Sequence, residues 1–92
     1  MDKDFNTIAL QEVLERISLH CPEALWAYIQ CINRCNKNGY VLFPKNMVEI
    51  DMSADWRPFR NNIKKLAREN LLEWHPVDDG ISVQLADLDE NE

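Results

Sequence analysis

The sequence predicts a mainly helical domain with a small antiparallel β-sheet, in the element order α-α-β-α-α-β-β. Three observations carry this expectation. A basic amphipathic pattern over residues 55–70 runs directly into two short apolar segments parted by Asp79-Gly80. Two further helical patterns fill the first forty residues. A hydrophobic content of 46% in 92 residues suffices to bury one core without metal or disulfide support, though with little stability to spare.

The elements follow in order. From residue 6 or 7 to about 18, Leu10, Val13, Leu14 and Ile17 share one helical face, while Gln11, Glu12, Glu15 and Arg16 take the other. Cys21-Pro22 breaks this helix, and Pro22 opens a second one through about residue 37, with Leu25, Tyr28, Ile29, Ile32 and Cys35 inward and Asn38-Gly39 as its stop. Trp26 lies off that inward face, where it either packs its ring on a neighbour or forms part of a dimer contact. Residues 40–43, Tyr-Val-Leu-Phe, read as a short strand. A short helix over 44–50 is expected to bury Met47, Val48 and Ile50, and 51–54 make the turn into the basic helix.

That helix has good N-caps in Ser53 and Asp55, and Pro58 falls in its first turn, where a missing N–H costs little. Asn70 suits a left-handed C-cap. Residues 71–75 then read as a strand stopped by Pro76, Val77-Asp78-Asp79-Gly80 supply turn residues, and 81–85 alternate apolar and polar as a half-buried return strand does. The two strands make a wing.

At about 100° per residue, Trp56, Phe59, Ile63, Leu66 and Ala67 fall on one arc of the 55–70 helix. Arg57, Arg60, Asn61, Lys64, Lys65 and Arg68 fill the neighbouring arc, offset only by Asp55 and Glu69. A solvated surface explains many such charge runs. The lack of regular i,i+4 acid partners favours instead an external anion as counter-charge. A short helix followed by this one reads as a helix-turn-helix whose second helix enters the major groove of duplex DNA.

The run from Phe59 to Glu73, with Ile63 and Leu66 in its helix and Leu71-Leu72 entering the hairpin, followed by Gly80-Ile81-Ser82-Val83-Gln84-Leu85, resembles the recognition helix and wing of bacterial winged-helix regulators. It covers about half the chain. Two positions depart from the usual pattern: Asn70 stands where Gly is common, and Asp78-Asp79 make the wing tip acidic. The resemblance implies a winged helix-turn-helix fold and a transcriptional regulator that binds DNA through Arg57, Arg60, Asn61, Lys64, Lys65 and Arg68. Arg57, Arg60 and Asn61 would face base edges, and Lys64, Lys65 and Arg68 would hold phosphates. Specificity from so few contacts calls for a homodimer on a two-fold site, through the first helix or Trp26.

The formal charge of −6 does not suit a general nucleic-acid coat protein, yet most of it falls in the ends. Residues 1–5 are expected as a flexible N-terminus, 6–86 as the single domain, and 87–92 as an acidic tail that either solubilises or competes with DNA for the basic helix. An acidic tip also repels phosphate. The reading from another class is therefore a protein-interaction module whose basic helix docks on an acidic protein partner, with a wing that does not bind DNA.

Cys21, Cys31 and Cys35 admit buried thiols, a redox pair or, with His20, a metal site; their spacing fits no common zinc knuckle, and buried thiols are the expectation. No cofactor is expected. Catalysis lacks a Gly-rich phosphate loop, the chain having two glycines, and lacks a nucleophile with an oriented base, so the chain reads as a non-enzyme. Without an apolar run long enough to cross a bilayer or a secretory segment, the expected setting is cytoplasmic.

Overall fold

A computed structural model describes residues 7–86, with side chains from Leu10 onward. The expectations for 1–5 and 87–92 lie outside the described residues. The chain is mainly helical, with one three-stranded antiparallel sheet of order β1-β3-β2.

Helix α1 (Thr7–His20) buries Ile17 and half-buries Leu10, Val13 and Leu14, the face its spacing predicts. A 3-10 turn (Pro22–Ala24) leads into α2 (Leu25–Arg34). Ala24, Ala27, Tyr28 and Cys31 form the buried stripe of this region, so Ile29 is exposed and Leu25 and Ile32 only half-buried, a rotation from the predicted face. Helix α2 also ends three residues before the expected 37. Cys35 is extended, with ψ 157°, and the Asn36 side-chain oxygen accepts from Asn38 N at 2.9 Å and Tyr40 N at 3.0 Å. A side chain that satisfies local N–H groups offers the backbone an alternative to helix. Gly39, at φ 80°, completes the turn into β1 (Tyr40–Pro44).

The short helix expected over 44–50 is present as a π-helix, Met47–Asp51, whose wide turn is closed by an i→i+5 bond from Met52 N to Met47 O at 3.1 Å. This widening buries Val48 and half-buries Met47 and Met52, and it leaves Ile50 72% exposed against the expectation that it is buried. Ser53, expected as a cap, instead takes φ 54° to reverse the chain. Asp55 occupies the N-cap position of α3 (Trp56–Arg68) without a side-chain bond to it.

Asn70 has φ 64°, the left-handed conformation expected of it. It delivers the chain to β2 (Leu72–Val77) and, through Asp78-Asp79, to β3 (Gly80–Leu85). Pro76 does not stop β2. Ala86 N donates to Leu71 O at 2.9 Å, so by antiparallel alternation the hydrogen-bonded pairs fall at odd positions of β2, and Pro76, opposite Ile81, directs its missing donor away from β3. As an edge strand, β2 tolerates that. Gly80 lies against the backbone of β1: a Cβ there would run into Phe43 O and Pro44 Cα.

The core lies between the sheet and the helices, with Val41, Phe43, Leu72, Ile81, Val83 and Leu85 from one layer and Ile17, Tyr28, Cys31, Phe59, Ile63 and Leu66 from the other. Phe59 is its aromatic hub, edge-on to Phe43 at 4.9 Å and to Trp26 at 6.2 Å. Trp26, still 45% exposed, thus packs on a neighbouring ring.

Candidate nucleic-acid interface

Helix α3 seats Phe59, Ile63 and Leu66 in the core, which fixes the rotation of the whole element. The opposite arc must then face outward. Arg57, Arg60, Asn61 and Arg68 are exposed, and Lys64 and Lys65 are half-buried.

Two ion pairs hold this helix against the N-terminal half of the chain. Lys65 Nζ donates to Glu23 Oε2 at 2.8 Å, and the Lys65 hydrogen bond holds the Glu23 carboxyl below the ordinary carboxylate range. Arg16 Nη2 donates to Glu69 O at 2.6 Å and approaches Glu69 Oε1 at 3.5 Å. The first of these bonds also satisfies a carbonyl at the C-terminal end of α3, where cations are favoured by the helix dipole. Lys65 is therefore a clamp on the 3-10 turn and leaves the predicted set of free cations. Its partner lies 42 residues away, a pairing that spacing along the helix does not reveal.

On the other flank, Lys64 Nζ sits 5.4 Å from the ring centroid of Trp74 in β2. A cation over an indole face is held without being neutralised. Arg60 lines a cleft of about 600 Å³ between α3 and the hairpin, together with Lys45, Trp56, Trp74, Asp78 and Asp79. Lys45 was not among the predicted site residues. It lies next to β1, and its backbone N–H donates to Asp79 O at 2.6 Å, which ties the hairpin turn to the chain before α3 and sets this cation beside the α3 row. A basic residue outside a helical pattern gives no periodic signal.

Between these flanks, Arg57, Asn61 and Arg68 are exposed. None of Arg57, Arg60, Lys64 and Arg68 forms an ion pair with another described residue. The hairpin tip is less favourable to an anion, since Asp78 and Asp79 are both exposed there.

Cys21 lies within reach of the charges of both ion pairs, Glu23 with Lys65 and Arg16 with Glu69, whereas Cys31 is enclosed in the core. Burial raises the Cys31 thiol far above its ordinary value, raises Cys21 as well, and keeps both protonated. Cys35 Sγ donates to Ile32 O at 3.5 Å. Among the described residues, no three His, Cys, Asp or Glu side chains are grouped to hold a metal ion, and no helix is long and apolar enough to cross a membrane. Comparison of the chain with protein-family models, with curated proteins and with solved structures found no match.

Proposed function

We propose that this chain is a winged helix-turn-helix protein that binds double-stranded DNA, with α3 as the helix that enters the major groove and a regulatory role in transcription. The observation that carries the reading is the outward arc of α3, where four cations have no acidic partner among the described residues while the same helix is anchored through its other faces. A row of unneutralised cations recruits a polyanion by releasing its counterions. Arg57, Arg60 and Asn61, with donors suited to guanine and adenine edges, face bases in this account; Lys64 and Arg68 hold phosphates. A homodimer on a two-fold site supplies the contacts that one α3 lacks.

The test is a fluorescence-anisotropy titration of the protein against random duplex DNA at low and physiological salt, beside Arg60→Ala/Lys64→Ala. Two phosphate-directed cations predict a slope of log affinity on log salt of roughly −2, and the double variant, which removes one of them together with a base-facing arginine, loses about tenfold or more in affinity with a slope shallower by about 1. No binding at low salt overturns the reading. It would leave the protein-interaction module, whose specific support is the acidic tip at Asp78 and Asp79.

A further inference from the structure

Trp56 opens α3, and Arg60 follows one turn later on the same side of the helix. Both line the cleft of about 600 Å³, and Trp74 lines it from the hairpin. Trp74 pairs with the buried Val83 on the inner face of the sheet. Because β2 is an edge strand, that indole is covered only in part, and both tryptophans are half-buried. Each has a neighbour that fixes it: Trp56 lies tilted on Phe59 with ring centroids 6.5 Å apart, and Trp74 carries Lys64 5.4 Å from its ring centroid. Lys45 and Arg60 bring two positive charges to the cleft and Asp78 and Asp79 two negative ones; Asn46 apart, the remaining wall has no polar side chain. None of these four charged side chains forms an ion pair with another described residue. Opposite charges thus share one cleft without meeting, which leaves room between them for a ligand polar in both senses.

We propose that this cleft binds a nucleotide whose base carries an exocyclic amino group, with the base against the indoles, the phosphate on Lys45 and Arg60, and the amino group donating to Asp78 or Asp79. The volume lies in the range of small-molecule sites, roughly 300–1,000 Å³. Indole rings offer π-faces on which a base stacks. The balanced charges reject simpler ligands: a bare anion meets two carboxylates, a bare cation meets two cations, and neither gains much. A nucleotide suits both signs. Its negative charge sits on the phosphate and its N–H donors on the edge of an aromatic ring, and carboxylates accept from the amino group of cytosine. Thymine, which lacks an amino group, lacks that contact. The nucleotide is either free or an unpaired residue of a DNA strand; the second source rests on the proposed function, and the first does not.

The test is a titration of the full chain with deoxycytidine monophosphate, thymidine monophosphate and inorganic phosphate, followed in ¹⁵N–¹H spectra. The indole resonances of Trp56 and Trp74 should shift with the nucleotides, and that of Trp26, outside the cleft, should stay. For so open a site Kd falls in the millimolar range, about fivefold lower for the cytosine nucleotide than for the thymine one. Asp78→Asn/Asp79→Asn, at two exposed positions, should erase that preference, and Trp74→Leu should weaken binding about tenfold. Indoles unmoved by either nucleotide, shifts reproduced by inorganic phosphate, equal binding of the two nucleotides, or a preference that survives the double Asn variant each overturn the proposal. A parallel anisotropy titration compares a paired duplex with the same duplex carrying one unpaired cytosine. Tighter binding of the second assigns the nucleotide to a strand, and equal binding beside indole shifts assigns it to the free pool. Indole shifts with no duplex bound at low salt sink the DNA reading and leave the nucleotide site standing; duplex binding with indoles unmoved by nucleotides does the reverse.

Discussion

Lys64 and Lys65 are adjacent in the chain and engaged differently: one rests on the Trp74 ring with its charge available, the other is spent on Glu23. A Lys65→Ala variant should therefore keep its DNA affinity to within about twofold, whereas Lys64→Ala loses severalfold, as a phosphate contact does; equal losses in an anisotropy titration would contradict the division. Tyr28 offers a second test. Its hydroxyl is buried without a hydrogen-bond partner among the described residues, and burial pushes its pKa up to about 12. Tyr28→Phe removes that orphan group, so stability at neutral pH should be unchanged or higher by up to about 1 kcal/mol. The pH dependence has a definite sign. The unfolded tyrosine ionises near 10 and the folded one near 12, so above 10 the unfolded state binds fewer protons and stability falls as pH rises. Cys31, also raised by burial, adds a fall that begins lower, near the ordinary thiol value of about 8.5. Denaturant melts at several pH values should show that Tyr28→Phe loses only the decline between 10 and 12. At this scale the sequence revealed which residues are cationic and which apolar; it did not reveal Glu23 as partner of Lys65 or Lys45 as neighbour of Arg60, because both depend on contacts distant in the chain.

At the scale of elements, long periodic patterns were legible and their ends were not. The face of α1, the apolar arc of α3, the three strands and the left-handed Asn70 all follow from local chemistry visible in the sequence. The misread positions have identifiable causes. Asn36 diverts the end of α2 by satisfying N–H groups from its side chain. Pro76 survives within β2 because register directs its nitrogen outward, and register is a tertiary fact. The wide turn at Met47–Asp51 departs from the 3.6-residue period of an α-helix and leaves Ile50 exposed. The junction of α3 and β2 is the position to test. At φ 64°, Asn70→Gly should be neutral or slightly stabilising and Asn70→Ala should cost about 1 kcal/mol in equilibrium unfolding, because a Cβ disfavours left-handed backbone; an Ala variant as stable as the parent would show that this conformation is not required.

Across the whole molecule, charge is divided by surface more than by sum. The outward arc of α3 is positive, the hairpin tip negative, and the net formal charge −6. The hairpin, tied at Asp79 to Lys45, shares a cleft with Arg60 of α3, so a duplex on α3 as proposed would meet the field of its tip. Asp78→Lys/Asp79→Lys should consequently tighten duplex binding about tenfold at low salt and steepen the salt slope by about 1 to 2; unchanged affinity would mean that the tip stays clear of the backbone. The measurement that bears most directly on the central claim is the map of backbone amide shifts as a short duplex is titrated into the full chain at low salt. The account predicts that 57–68 and Lys45 move most and that the solvent face of α1 remains still. Shifts gathered on the outer face of the sheet, around Tyr40, Leu42 and Val77, with α3 unmoved, would contradict it.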